Sequence, residues 1–268
     1  MREVLIGVIR MPQGNGILLL GGTGPSTRII YHALVNAFGG VQLILDAPIP
    51  RRDFLRRRVR RYGALTVAGQ VGFVAAVVPV LSRLHAPRIR AIKLAHGLDD
   101  SGLAGHAFKT TSINSEAARR AIVAAEPKVV VVSGTRIIGR KTLSVINCPA
   151  INIHFGITPL YRGVHGGYWA LAEGNPNLAG TTIHFLDNGI DTGRVISQSS
   201  IEVTREDSFV TYPYLHLAAG LPKLIDAVRR VLSGQPLVCQ EQPELPSRLR
   251  THPTLWGYLY RRAVGGVR

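Results

Sequence analysis

The sequence predicts an α/β protein: a mostly parallel sheet flanked by helices, with a small helical C-terminal extension. Three observations predict it. The short apolar run Ile17-Leu18-Leu19-Leu20 ends in the glycine loop Gly21-Gly22-Thr23-Gly24-Pro25-Ser26. Residues 27–38 then read as a helix stopped by Gly39-Gly40, and residues 41–45 read as a second strand. Strand, loop, helix and strand in that order build a parallel sheet with helices on its faces. Further on, Val129-Val130-Val131-Val132 is a continuous β-branched run, as expected of a central strand buried on both faces.

The remaining elements follow in chain order. Residues 4–9 read as a short strand, or as translation from a start upstream of Met11. No charged leader followed by an apolar run and a small-residue cleavage site precedes them. No residue from 64 to 81 is charged, a length that can cross a bilayer. Gly69, Gln70, Gly72 and Pro79 dilute its hydrophobicity. The other readings are a helix packed on the sheet, in a dimer contact, or lying on a membrane surface. Residues 89–94 read as a strand. Asn114 or Ser115 caps a helix that runs to about Ala125, because a side-chain oxygen there accepts from free backbone N–H groups. Residues 150–154 form the next strand, residues 166–173 a helix. Residues 181–186 and 194–198 read as paired strands around Asp187-Asn188-Gly189. Residues 207–232 are mostly helical, and an extended tail follows residue 234. A catalytic domain over residues 1–203 and a C-terminal helix and basic tail over 204–268 are the expected division.

An apolar content of 46% supplies a buried core, which excludes a chain disordered throughout. Cys148 and Cys239 give neither a disulfide framework nor a zinc spacing, so no metal is expected and a reducing cytoplasm is. The net charge is +16. Arg51, Arg52, Arg56, Arg57, Arg58, Arg60 and Arg61 fall within eleven residues, and Arg248, Arg250, Arg261, Arg262 and Arg268 form a second cluster. Such patches attract nucleic acid, anionic lipid or phosphorylated substrates, or form a solvated helix face. The tail at 251–262 interleaves aromatic residues with arginine, which suits single-stranded nucleic acid, a membrane interface, or packing of Leu255 and Trp256 on the body.

The most informative stretch is Ile151-Asn152-Ile153-His154. Side chains alternate along a strand, so Asn152 and His154 share one face. The loop Phe155-Gly156-Ile157-Thr158-Pro159 follows, which puts both polar groups at the carboxyl end of a strand, where open α/β sheets bind ligands. Alone, such a pair also fits a satisfied structural network. Downstream come Pro159-x-Tyr161-Arg162-Gly163, then Gly180-Thr181-Thr182-x-His184, and Asp187-x-Gly189-x-Asp191-x-Gly193.

Together these motifs, in order and spacing, resemble the folate-dependent formyltransferase family. The resemblance is strong over residues 129–198 and weaker towards the N-terminus. It implies a Rossmann-like formyltransferase fold and 10-formyltetrahydrofolate as formyl donor. It also implies Asn152, His154 and Asp191 as the catalytic trio. The chemistry suits these residue types. An amine attacks the formyl carbon, and the carbonyl oxygen gains charge that donors such as Asn152 and His154 stabilise. His154 can carry a proton near neutrality. Asp191, alone or through a held water, relays a proton and orients His154. The resemblance further implies a pterin pocket lined by Arg136, Ile137 and Ile138, with Leu186, Asp187, Gly189 and Ile190 as the opposite wall. Gly21, Gly22, Thr23 and Gly24 match a loop that holds an acceptor's phosphate in purine-pathway relatives; a tight turn that needs glycine is the equal alternative. Tyr161, Arg162 and His184 are implied at the substrate, although a structural role fits His184 as well. The chain departs from many relatives in carrying Phe155-Gly156 where they have Pro-Ser, which alters the loop beside the acceptor.

Three acceptor amines compete. Methionyl-tRNA formyltransferases carry a C-terminal tRNA-binding barrel, whereas 65 residues follow Val203 and they begin with a long helix. Glycinamide ribonucleotide formyltransferases are shorter and lack the arginine-rich insertion. The string from Gly156 to Trp169 looks like formyltransferases of surface-polysaccharide biosynthesis, so a nucleotide sugar is the expected substrate. Arginines would then hold its diphosphate or sit against an anionic membrane. A homodimer is expected, in the cytoplasm or at the inner face of the membrane. A formyltetrahydrofolate hydrolase and an inactive basic membrane or nucleic-acid adaptor are the rival readings.

Overall fold

Valine and leucine runs that pair on both edges make the centre of the sheet. In the computed structural model, which describes residues 14–103, 107–242, 246–265 and 267, β1 (Ile17–Gly21) is buried at every position. It lies between β2 (Val41–Asp46) and β4 (Val129–Ser133), parallel to both. Alternation splits the core in two. Ile17, Leu19, Leu43, Val129 and Val131 face one way, and Leu18, Leu20, Ile44, Val130 and Val132 the other. Each such fully buried Leu or Ile contributes roughly 2 kcal/mol. Residues 4–9 and Met11 lie outside the described residues.

With β3 (Ala107–Thr110) at one edge and β5 (Ala150–His154) beside β4, the seven-stranded sheet has the order β3-β2-β1-β4-β5-β7-β8. Its first five strands are parallel; β7 (Gly180–Phe185) runs antiparallel to both β5 and β8 (Val195–Ser200), so every strand but β7 points the same way. Helix α1 (Pro25–Phe38) starts on Pro25, whose missing N–H costs nothing there, and ends where Gly39, at φ 83°, donates to the Val35 carbonyl. Helix α6 (Glu116–Ala124) is capped by Ser115, whose hydroxyl accepts from the Ala118 N–H at 3.1 Å. A short α7 (Arg140–Leu143) leads into β5 (Ala150–His154). Beyond it lie β6 (Tyr161–Gly163) and α8 (Gly166–Ala172).

Several expectations are corrected. Residues 89–94 are no strand; they belong to helix α5 (Ala86–Ala95). Pro87 sits in its first turn, and Ile89 and Ile92 are spaced for a helix face, with Ile92 buried and Leu94 exposed. The strand that pairs with β2 is instead β3 (Ala107–Thr110), only four residues long and not expected from the sequence. The segment 207–211 forms turns, and the long helix α9 begins later (Tyr212–Leu232). Its Leu217, Leu221, Leu224 and Val228 pack into the core with β1 and β4, so the layers around the sheet continue to Leu232. The tail past residue 234 is not simply extended. It holds β9 (Arg248–Arg250), parallel to β6, and helix α10 (Leu255–Gly265).

Helix α2 (Arg51–Tyr62) precedes a continuous helical run, Ala64–Leu84, made of α3 (Ala64–Gly72), a π turn (Phe73–Val77) and α4 (Val78–Leu84). One side of this run packs on the body. Phe73 and Leu81 join Tyr168, Phe209, Tyr212 and Tyr258 in an aromatic cluster, with Phe73 and Phe209 edge to face at 4.8 Å.

Candidate active site

Strand β5 presents Asn152 and His154 on one face, and β7 adds a third polar group. Its antiparallel register sets His184 directly opposite Asn152, with Asn152 Nδ2 3.0 Å from His184 Nε2. The other ring nitrogen of His184 donates to the Phe185 carbonyl at 2.8 Å, so a neutral ring leaves Nε2 as the acceptor for the Asn152 amide. The loop after β7 returns Asp191 over this face. Asp191 Oδ1 lies 3.4 Å from Asn152 Nδ2, and Oδ2 lies 3.4 Å from His154 Nδ1. The three side chains from two separated segments therefore meet around one point.

Asp191 is held from the opposite side by backbone. Its Oδ2 accepts the Gly163 N–H at 2.8 Å, and its own φ of 51° lies in the left-handed region. Burial pushes the carboxyl up. The close approach of His184 and His154 and the Gly163 N–H outweigh that and hold it below its ordinary value. His154 is 6% exposed and donates from Nε2 to the Tyr161 carbonyl at 2.7 Å. Burial drives its pKa down, against the pull of Asp191 and the Tyr161 carbonyl. The expectation of a proton carried near neutrality is thus corrected. His154 rests neutral in the free protein, with its Nδ1 lone pair facing the Asp191 carboxylate.

These groups line a cavity of about 540 Å³, within the range of small-molecule sites. Arg136, Ile137, Ile138, Leu186, Asp187, Gly189 and Ile190 line it too. Arg136 does so without offering its charge. Its guanidinium bonds Asp46 at 3.0 Å and the carbonyls of Ala47 and Thr111, while its N–H also reaches Asp46. Asp46 in turn accepts the Ile113 N–H, so one buried carboxylate fixes two loops at the sheet's edge.

Other implied residues stand behind the cavity wall. Tyr161 is 2% exposed and its hydroxyl accepts from Asn175. Arg162 donates to the Ile190 carbonyl at 2.7 Å and to Ser247, which holds the loop that carries Asp191. Neither lines the cavity. In the Gly21–Gly24 loop, Gly22 N–H donates to the Ser133 carbonyl, and a Cβ on Gly22 would lie 2.3 Å from the Gly134 carbonyl oxygen. The residue from this loop region that lines the cavity is Ser26. The Phe155-Gly156 departure has a physical reason. A Cβ on Gly156 would sit 2.2 Å from the Tyr161 carbonyl oxygen and 2.7 Å from His154 Nε2, and Phe155 stacks on His216 at 5.2 Å.

Sequence reasoning missed part of the wall. Arg58, Arg61 and Tyr62 reach it from α2, and Arg250 and Thr251 from the tail. Arg58 donates to the Gln70 amide at 2.6 Å, and Arg61 lies over the Tyr62 ring at 5.4 Å. Arg250 is paired with Glu173. The arginine run was the available signal; its place in space was not readable from spacing.

Residues 66–218, more than half of the chain, match the family model described as formyl transferase. The chain is 36% identical over 118 residues to the methionyl-tRNA formyltransferase of Anaeromyxobacter sp. (strain K), a match that covers 44% of this chain and 37% of that protein. The chain spans less than half the length of the curated relatives it matches. Among solved structures, the N-formyltransferase from Helicobacter canadensis in complex with folinic acid and dTDP-3-aminofucose superposes with a TM-score of 0.51. The two are 15% identical, over 87% of this chain and 70% of that one. Phosphoribosylglycinamide formyltransferase from Anaplasma phagocytophilum gives 0.53 at 18% identity, over 87% and 95%. At these identities the likeness is one of fold.

Proposed function

The chain belongs to the formyl transferase family, and we propose that it moves the formyl group of 10-formyltetrahydrofolate onto an amino group of a nucleotide sugar. The observation that carries the reaction is the meeting of Asn152, His154 and Asp191 at one end of the cavity. The donor fits the residues present. A flat pterin needs apolar faces and a polar edge, and the cavity offers Ile138, Leu186 and Ile190 beside backbone groups of residues 134–138. When bound, the folate supplies an activated formyl carbon on its nitrogen.

The chain's own groups would then act as follows. Asn152 holds its amide hydrogens on His184 and Asp191; the contact to Asp191, at 3.4 Å, is the longer. That hydrogen is the one available to an oxygen gaining charge, and an amide already held in place by His184 needs little reorganisation to stabilise it. The attacking amine loses a proton. His154 Nδ1 is the unprotonated ring nitrogen and takes that proton where Asp191 Oδ2 faces it, so the imidazolium forms beside an existing negative charge. The leaving nitrogen recovers a proton from the same pair. The buried position of His154 excludes water from this transfer.

Arg58 and Arg61 support a diphosphate-bearing acceptor. They stand on the cavity wall, paired with an amide and an aromatic ring rather than a carboxylate. The Helicobacter enzyme named above was solved with a nucleotide amino sugar, which favours that class. The test is an acceptor screen with purified protein and 10-formyltetrahydrofolate. Amino-sugar nucleotides are expected to be formylated, and Arg61→Ala to raise their KM by about tenfold with kcat kept. Formylation of glycinamide ribonucleotide or methionyl-tRNA instead would overturn the acceptor and leave the reaction class standing.

A further inference from the structure

We propose that the face formed by α2, the Ala64–Leu84 run and α10 docks on the surface of an anionic lipid bilayer. The inference does not rest on the formyl-transfer reading. It starts from an exposed helix face of the wrong polarity. Helices at a protein–water surface turn polar residues outward. The Ala64–Leu84 run turns outward Leu65, 76% exposed, with Val71, Val74 and Val80, each about half exposed. No charge interrupts residues 64–81, and only 28% of the run's most apolar window is buried.

Helix α2 adds the cations. It has no buried residue, although Leu55, Val59 and Tyr62 recur at helical spacing. Seven arginines share the helix with a single acidic residue, Asp53. An amphipathic helix that is rich in arginine, carries an apolar stripe and packs on no core is suited to lie in a headgroup layer. Helix α10 completes the face. Trp256 lies against Gly69 of α3 and is still 49% exposed; Leu259 and Tyr260 are exposed beside Arg261 and Arg262. Amphipathic aromatic rings next to cations are the composition of a membrane–water boundary.

The mixture selects a bilayer over two other occupants. A nucleic acid would neutralise the arginines but leave Leu65, Val71 and Val80 in water. A second copy docked through the same face about a two-fold axis would oppose arginine with arginine. Anionic headgroups over acyl chains satisfy both halves at once. Because Arg58, Arg61 and Tyr62 of α2 line the cavity, docking would set the cavity's mouth beside the bilayer.

The experiment is sedimentation of the full chain with vesicles of phosphatidylcholine alone or mixed with phosphatidylglycerol, at about 0.15 M salt. Binding to the mixed vesicles is expected to be at least about tenfold tighter than to phosphatidylcholine alone. Replacing Arg51, Arg52, Arg56 and Arg57 by Gln is expected to weaken it by about a hundredfold or more. The exposed pair Leu65→Glu and Val80→Glu is expected to abolish it with the circular dichroism spectrum unchanged. Three results would each overturn the proposal. The first is failure of the intact chain to bind anionic vesicles. The second is binding that the Leu65 and Val80 changes leave intact. The third is a dimer, seen by sedimentation velocity without lipid, that those changes dissolve.

Discussion

Nδ1 of His154 lies 3.4 Å from Oδ2 of Asp191, while its Nε2 donates to the Tyr161 carbonyl at 2.7 Å. One nitrogen is thereby fixed as a donor, and the other faces a carboxylate that can only gain from its protonation. Asp191→Asn preserves the shape and removes the charge. Amine-dependent tetrahydrofolate release is expected to fall by about a hundredfold or more. Thermal unfolding checks that the fold persists. A rate within about threefold of the parent would remove Asp191 from the account.

His184 acts through Asn152, which it holds across the β5–β7 pair at 3.0 Å. It is a positioning residue. His184→Ala frees the amide to rotate, so kcat is expected to drop by about tenfold with KM little changed. Asn152→Ala removes the donor itself and is expected to cost more. Steady-state kinetics of the two variants decide the order; a greater loss at His184 would assign it direct contact with substrate.

The legible part of this site was the part encoded locally. The two-fold period of a strand put Asn152 and His154 on one face, and the family resemblance carried by the Asp187-x-Gly189-x-Asp191-x-Gly193 motif implied the carboxylate. What was not readable came from distance in the chain. Arg58 and Arg61 reach the cavity from α2, and Arg250 from a short strand that pairs with β6. Residues 89–94 misled because a short segment with apolar Ile89, Ala91, Ile92 and Leu94 fits either period, and the helix signal was Pro87 just ahead of it. Strand β3 offered four residues and owes its form to pairing with β2. Tyr161 and Arg162 stand in the motif, yet they support the site from behind.

Buried His216 and the half-buried pair His165 and His252 set the acid limit of the fold. Burial lowers His165 and His216 to about 3 and His252 to about 4. In the unfolded chain each titrates near 6.5. Below that pH the unfolded chain binds protons that the folded one refuses, so stability is full above about 6.5 and is lost as pH falls towards about 4. The loss is up to about 1.4 kcal/mol per pH unit for each histidine. Melting temperature is expected to drop steadily on going from about pH 7.5 to about pH 5. A flat profile over that window would contradict the burial of these rings.

Gly163 couples backbone to chemistry. It sits at φ 92°, a Cβ there would lie 2.3 Å from the Arg250 carbonyl oxygen, and its N–H holds Asp191. Gly163→Ala is expected to cost about 1–3 kcal/mol in urea unfolding and to lower turnover together with stability. Unchanged stability would mean that β6 and β9 do not approach as closely as described.

The reaction itself is tested most directly by following tetrahydrofolate release from 10-formyltetrahydrofolate with and without an amino-sugar nucleotide. The account predicts release that needs the amine and matches the formylated product one for one. Equal release without any amine, as a hydrolase would give, or none with any acceptor, would contradict it.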